Sequence, residues 1–211
     1  VYAVSAITGQ SSATNHHTLD VFRSTDGGLT WTALGVNANS APTNPKPGLQ
    51  TTLDILNDQG WYDQMLLVDP LDSNIVYLGG QLTSAKTTDG GSTWSIISTW
   101  RDSSGFNLPY VHADFHYGAI LSSSTGARWL VFGTDGGLFT SPDYGASFTN
   151  ELNKGITSHL VNYISGASYV SNEFVIGLQD LGTRGRVDSD STQWDVVLGG
   201  DGEGCGYSQA K

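Results

Sequence analysis

The sequence has little cysteine, few basic residues and no long apolar runs. Its single cysteine, Cys205, excludes an intrachain disulfide and leaves the cellular compartment open. Nine lysines and arginines against 20 aspartates and glutamates give a net charge of −11, which repels phosphate. No apolar segment approaches the ~18 residues of a membrane span. These absences argue against nucleic-acid binding and against insertion into a membrane.

What the chain does contain is glycine, with 27 in 211 residues, while only 14% of its residues are charged. This composition favours strands and turns over helices. The chain opens on the strand-like "VYAVSAI", has no initiator methionine, and stops at "CGYSQAK". We therefore expect a mature piece or a fragment of a longer protein.

An eight-residue box recurs along the chain as "STDGGLTW" (24–31), "TTDGGSTW" (87–94) and "SPDYGASF" (141–148), with a degenerate copy "VDSDSTQW" (187–194). Apolar segments flank each box, so we predict a hairpin turn. The aspartate accepts backbone N–H bonds, and the glycines supply positive φ. A calcium site would need more oxygen ligands than this. The predicted structural residues are the aspartates Asp26, Asp89 and Asp143 and the aromatic residues Trp31, Trp94 and Phe148. We expect the aromatic side chains to be buried.

The spacing of the boxes predicts propeller blades, because they begin 63, 54 and 46 residues apart. Each interval holds four strand-like segments, and the box joins the third to the fourth. The predicted blades or blade remnants cover residues 1–34, 61–99, 112–152 and 159–198, and a further blade starts at 204–211. Residues 35–60 form an insertion loop.

The boxes, together with "GWYDQMLLVDPLDSNIVYLGG", "VHADFHYGAI", "GLQDLGT" and "GGDGEG", resemble Asp-box (BNR-repeat) β-propellers over nearly the whole chain. The resemblance implies an all-β fold of four-stranded antiparallel blades. The chain is similar to secreted bacterial glycosyl-hydrolase-like proteins. The same repeat occurs in sialidases, xyloglucanases, sortilin-like receptors and photosystem assembly factors. It implies an extracellular or periplasmic protein with a carbohydrate or protein ligand and no cofactor.

About four blades are present, which leaves two alternatives for the ring. The chain either closes as four blades or forms part of a ring of about seven or eight, and the second is favoured because four is the lower limit of the usual range. Its partners would then be the remaining blades of the same protein or a self-associated copy.

Propeller topology places the starts of first strands and the second-to-third turns on the face opposite the boxes. We expect the function on this face, where the insertion loop and Asp135 also lie. The predicted ligand-binding residues are Trp61, Tyr62, His112, His116, Asn162, Gln179 and Asp180. The candidate catalytic carboxyls are Asp63, Asp114, Asp201 and Glu203.

The stretch "HADFH" (112–116) is the sharpest motif on that face. On a strand, His112, Asp114 and His116 share one side. The favoured interpretation is a hydrogen-bonded polar ladder lining the channel. The alternatives are substrate binding or acid–base chemistry and, more weakly, a metal site, since successive same-side residues lie ~6.6 Å apart.

Two functions remain open at the level of sequence. The first is a propeller that binds, and in one version hydrolyses, a polysaccharide, which requires two carboxyl groups ~5 to 9.5 Å apart. The second is a non-catalytic protein-binding or scaffold propeller. Sialidase activity is disfavoured in this segment because none of the five arginines falls on a predicted first strand.

Overall fold

The computed structural model describes residues 1–8, 16–36, 49–50, 53–101, 107–156, 158–169, 173–186 and 193–208. Over these residues the chain is all-β, and its antiparallel sheets form a partial β-propeller, which confirms the predicted fold class. The chain divides into two units, Val1–Lys154 and Gly155–Lys211. In the described ranges no helix has the length and apolar character needed to cross a membrane.

The first unit contains three sheets, here called blades 1 to 3. Blade 1 has strands β1 (Tyr2–Ala6), β2 (Thr18–Arg23) and β3 (Thr32–Ala33). Blade 2 has β4 (Leu49–Gln50), β5 (Met65–Val68), β6 (Val76–Gly79), β7 (Thr83–Thr87) and β8 (Trp94–Thr99), paired in the order β4-β8-β7-β6-β5. Blade 3 has β9 (Phe115–Ser122), β10 (Arg128–Thr134) and β11 (Gly137–Ser141), followed by a 3-10 helix at Glu151–Asn153.

The second unit contains one sheet, blade 4. It is a four-stranded meander of β12 (Val161–Gly166), β13 (Phe174–Leu178), β14 (Gly182–Arg186) and β15 (Asp195–Leu198). Leu178 is buried in this unit, whereas both outer strands expose apolar side chains. Residues 187–192, which include most of the degenerate fourth box, lie outside the described residues.

The second box shows why the repeat forms a tight turn between β7 and β8. Asp89 accepts bonds from the Thr87 hydroxyl (2.8 Å), the Thr93 amide (2.9 Å) and the Thr93 hydroxyl (2.6 Å). Gly90 and Gly91 both have positive φ. The same three-bond pattern recurs at Ser24, Asp26 and Thr30 and at Ser141, Asp143 and Ser147.

The box carboxylates are stabilised in their charged form by these bonds. The hydroxyl and amide of Thr93 lower the pKa of Asp89 to about 2, and the corresponding residues lower the pKa of Asp26 and Asp143. Every oxygen is thereby committed to the turn. The predicted structural role of the box aspartates follows directly from these contacts.

Two apolar cores hold the first unit together, one between each pair of successive blades. The first is centred on Trp94, Leu78 and Val21, and the second on Phe115, Phe132 and Tyr77. Aromatic edges meet in the second core, where the Phe115 and Phe132 ring centroids are 5.5 Å apart. Blade stacking therefore supplies most of the apolar burial.

The described end of the insertion at 35–60, residues 53–60, is a loop that also contributes to the core. Leu53, Ile55 and Leu56 are buried in the core between blades 1 and 2, and β4 pairs with β8. The same segment contacts the β6–β7 turn, where the Asn57 side chain donates to the Gln81 side chain, so it adjoins the predicted face; the burial of its apolar residues was not predicted. Residues 37–48 and 51–52 lie outside the described residues.

The predicted burial of the box aromatics is also wrong for two of them, Trp31 and, in the degenerate fourth box, Trp194, which is 39% exposed. Trp94 is fully buried and Phe148 is half-buried, but Trp31 is 44% exposed. The reason is that Trp94 packs under Leu34 of blade 1, whereas no equivalent side chain from another described blade covers Trp31.

Candidate functional site

Tyr62 and Asp63 are positioned by a turn immediately before β5. The amides of both residues donate to the carbonyl of Gln59, at 2.8 and 3.1 Å. This turn sends the two side chains in different directions, since the Asp63 carboxyl is fully buried and the Tyr62 ring is 44% exposed. Their placement beside a first strand agrees with the sequence prediction.

Asp114 is held by a left-handed backbone conformation just before β9, with φ of 63°. Its amide donates to the Gln81 carbonyl (2.8 Å), and its own carbonyl accepts from the Asp135 amide (3.3 Å). Aspartate tolerates this conformation better than most residues, but it still carries strain. The bonds on both sides fix Asp114 next to the β10–β11 turn.

Asp135 is the anchored carboxylate of the site. The Tyr62 hydroxyl donates to one of its oxygens (2.8 Å), and Nε2 of His116 bonds to the other (2.7 Å). The Tyr62 and His116 rings meet edge to face with centroids 4.8 Å apart. Three elements, the β5 turn, β9 and the β10–β11 turn, therefore converge on one carboxylate.

Asp63 lies beneath this arrangement in an environment that disfavours charge. Among the described residues no hydrogen bond reaches either of its carboxyl oxygens. Burial, and next the neighbouring charge of Asp114, raise the pKa of Asp63 to about 8. Asp63 is therefore protonated at neutral pH, and its burial keeps it from direct contact with a surface ligand.

Asp114 is partly exposed and lies close to both of the other carboxyls. One of its carboxylate oxygens lies within 4.8 Å of an oxygen of Asp135. Burial, followed by the charge of Asp135, raises the pKa of Asp114. We call Asp63, Asp114 and Asp135 the acidic cluster.

An aromatic surface adjoins the acidic cluster. Trp61 is 68% exposed, and its ring centroid lies 5.5 Å from that of Tyr62. A large exposed tryptophan beside hydrogen-bonding carboxylates is an arrangement suited to amphipathic ligands, because the flat ring packs against apolar surface while the carboxylates accept hydrogen bonds. We call Trp61 and Tyr62 the aromatic platform.

The "HADFH" stretch is not the strand ladder that the sequence predicts. Residues 112–114 precede β9, and the left-handed Asp114 breaks the alternation. His116 pairs with Asp135, while Nδ1 of His112 bonds to the Ala113 carbonyl at 3.2 Å. Side-chain donors of His112, Asp114 and His116 do not come together within 4.8 Å, so these three residues do not form a metal-ligand set.

The remaining predicted residues lie in the second unit and are described by themselves. The backbone amide of Asp180 donates to the Asp201 carboxylate at 2.9 Å, and the Asn162 side-chain amide donates to the Gly202 carbonyl at 3.3 Å. The Gln179 amide donates to the Leu160 carbonyl at 3.1 Å. The β13–β14 turn thus meets the segment after β15. The catalytic assignment of Asp201 and Glu203 stays a prediction.

Sequence reasoning placed Asp135 on this face but missed its central position and the glycine that supports the site. A Cβ at Gly136 would lie 2.2 Å from Cγ of His112, so only glycine leaves room for that ring. The available signal was the "DGG" after β10, which the sequence analysis assigned to a second-to-third turn without a role for Gly136.

The arginines agree with the sequence prediction in the described part of the chain. Arg23, Arg128, Arg184 and Arg186 lie on second or third strands, and Arg101 follows β8. None lies on a first strand, so these positions supply no cluster for a sugar carboxylate.

Comparison with known proteins gives a distant structural similarity. No protein-family model matches the chain, and no curated protein matches its sequence. A GH74 enzyme from Niastella koreensis is 17% identical with a TM-score of 0.35, over 86% of this chain and 22% of that one. An ancestral GH74 enzyme is 11% identical with a TM-score of 0.39, over 94% and 26%. YCF48 bound to a D1 peptide is 12% identical with a TM-score of 0.24, over 90% and 71%. This chain spans about a quarter of the length of the two GH74 enzymes.

Proposed function

We propose that the first unit binds carbohydrate at the aromatic platform and the acidic cluster. The observation that carries the proposal is the exposed Trp61 ring beside an anchored carboxylate, Asp135. A sugar ring has an apolar face of C–H groups and an edge of hydroxyls. Trp61 is suited to the face, and Asp135 has lone pairs left to accept bonds from the hydroxyls. We also propose that the protein acts outside the cell or in the periplasm, where polysaccharides are available.

The acidic character of the site agrees with a neutral, hydroxyl-rich ligand. Two carboxyls, Asp114 and Asp135, lie close together with one imidazole beside them. Such a site repels phosphate and carboxylate groups. We therefore expect neutral glycans to bind and sialylated or phosphorylated ones to be rejected.

Hydrolysis is a second candidate, favoured by the separation of two carboxyls. One oxygen of Asp114 lies no more than 4.8 Å from one oxygen of Asp135, so the two carboxyls are closer to the ~5–5.5 Å class of retaining glycosidases than to the ~6.5–9.5 Å class of inverting ones. Asp114, whose pKa is raised, would be the general acid. Asp135 would be the second, ionised member of the pair. Asp63 would be a positioning residue, because the burial of Asp63 prevents contact with a glycosidic oxygen.

The test is a glycan array followed by calorimetry on the glycan that binds best. Trp61→Ala should lower affinity about tenfold or more, because it removes the stacking surface. Trp129→Ala is the matched control, because Trp129 is also partly exposed but lies at the far end of β10. Equal effects of the two variants, or no glycan bound at all, would overturn the proposal and leave the protein-binding propeller as the stronger candidate.

Product analysis then separates binding from hydrolysis. The wild-type protein would release reducing ends from the bound glycan, and Asp114→Asn would not. Binding without release of reducing ends in the wild type would remove the hydrolytic candidate and leave the binding proposal intact.

A further inference from the structure

Blades 1 and 2 each insert one apolar side chain over the box of the next blade. Leu34, three residues after Trp31, lies over Gly91 of the second box. Ile97, three residues after Trp94, lies over Gly145 of the third box. We call the inserted side chain the knob, and the box glycine with its following aromatic residue the socket.

These sockets are tightly filled. A Cβ added at Gly91 would lie 2.3 Å from Cδ1 of Leu34, and one at Gly145 would lie 2.7 Å from Cδ1 of Ile97. The Trp94 ring forms the wall of the first socket, with Cζ2 at 3.6 Å from the same position. A Cβ at either position would displace the terminal methyl group of Leu34 or Ile97, so the contact between blades adds to the preference of the turn for glycine.

Blade 4 carries a knob in the same structural position. Val197 comes three residues after Trp194, and the pairing of β14 with β15 shifts between Thr183 and Arg184, which leaves Val197 unpaired in the register. Ile97 occupies the corresponding shift between β7 and β8. Val197 is nevertheless 54% exposed, and its neighbours Val196 and Leu198 are exposed too.

Blade 1 carries a socket that is open. Among the described residues, the position of a Cβ at Gly28 meets only Trp31, at 3.7 Å, and that at Gly27 meets nothing within 4 Å. Trp31 and Leu29 are both exposed on this box. The tryptophan of this empty socket, Trp31, is not buried, against the sequence prediction.

We propose that the chain associates head to tail, with the Val197 knob of one copy seated in the Gly28–Trp31 socket of a second copy. The interface continues the one that already joins blades 1 to 2 and 2 to 3, with the same spacing from the box aromatic and the same kind of contact. Both halves are present on this chain, so a second copy suffices as the occupant. The contact is heterologous, and each copy keeps one knob and one socket available for further copies.

Sedimentation velocity of the 211-residue chain over a concentration series tests the proposal. The wild type should form dimers and larger species as concentration rises. Val197→Lys should weaken association by more than about tenfold, because the socket would have to bury an unpaired charge. Val196→Lys, an equally exposed neighbour on the same strand with its side chain on the other face, should associate nearly as the wild type does.

A mixing experiment distinguishes association between copies from closure within one chain. Val197→Lys blocks the knob, and Gly28→Asn blocks the socket with a residue that tolerates positive φ. Each variant alone should be monomeric. An equimolar mixture should form dimers and no larger species, because the intact knob of Gly28→Asn can bind the intact socket of Val197→Lys. Retained far-UV circular dichroism confirms folding of both variants.

Three results would overturn the inference. One is a wild type that stays monomeric at every concentration, which would indicate closure within the chain or an occupant of another kind. Another is a mixture of the two blocked variants that remains monomeric. The last is association that Val196→Lys abolishes and Val197→Lys leaves unchanged.

Discussion

At the residue scale, the buried Asp63 links the site to the stability of the first unit. Its pKa of about 8 compares with ~3.9 for an ordinary aspartate, so the folded protein keeps a proton that the unfolded chain releases between about pH 4 and pH 8. Proton binding therefore stabilises the fold at low pH, and this contribution disappears as pH rises through about 8. The free energy of unfolding should fall across this window by up to ~1.4 kcal/mol per pH unit.

Asp63→Asn should remove that dependence, because asparagine cannot ionise. We expect the variant to be more stable than the wild type at about pH 8, with a flatter profile between about pH 5 and pH 8. Urea denaturation followed by circular dichroism measures this. The control is Asp58→Asn, an exposed aspartate of the same segment, which should retain the wild-type slope. Parallel slopes for wild type and Asp63→Asn would show that Asp63 is ionised in the folded state.

Tyr62 should contribute to ligand binding through its hydroxyl as well as its ring. Tyr62→Phe removes the bond that holds one oxygen of Asp135 while keeping the aromatic platform. A bond to a charged group is worth ~1.5–3 kcal/mol, so glycan affinity should fall about tenfold or more. Tyr117→Phe, which alters an exposed tyrosine of β9, is the matched control for calorimetry. An unchanged affinity for Tyr62→Phe would mean that Asp135 does not contact the ligand.

The residue scale is also where the sequence was least informative about the site. The types and order of Asp63, Asp114 and His116 were enough to place them on one face. The backbone of Asp114 was not predictable, because its left-handed conformation is imposed by partners at Gln81 and Asp135 that are distant in sequence. That single conformation turned a predicted ladder into a cluster around Asp135.

At the scale of elements, the box turns couple each hairpin to the neighbouring blade. Gly145→Ala should destabilise the protein by about 2–4 kcal/mol, combining the cost of positive φ with a clash against Ile97. Gly126→Ala is the matched control, since Gly126 has positive φ but no atom within 4 Å of the added Cβ. It should cost only about 1–2 kcal/mol. Thermal or urea unfolding distinguishes them, and equal costs would show that the Ile97 contact relaxes freely.

The elements themselves were largely predictable. The box chemistry is local, since Asp89, Thr87 and Thr93 bond within one turn, and the flanking strands follow from it. The burial of the box tryptophans, in contrast, does not depend on the local sequence alone. Whether Trp31 or Trp94 is covered depends on the presence of another blade over its box, and the sequence of the box alone is nearly the same in both.

At the scale of the whole molecule, the chain separates folding chemistry from candidate binding chemistry. The box turns of the first unit repeat one hydrogen-bond pattern, while the aromatic platform and acidic cluster are built from turns before β5 and β9 and between β10 and β11. Changes in the two sets should therefore have different effects. Asp89→Ala should remove turn bonds and cost about 1–3 kcal/mol of stability.

The affinity of two folded variants, Asp89→Ala and Asp114→Asn, for the best-binding glycan tests the central claim most directly. Calorimetry on the folded fraction should give Asp89→Ala an affinity within about twofold of the wild type, because the box takes no part in binding. Asp114→Asn keeps a residue that tolerates left-handed backbone, so it should remain folded and lose about tenfold or more in affinity. Loss of glycan affinity in Asp89→Ala together with wild-type affinity in Asp114→Asn would contradict the account and place the function on the box face.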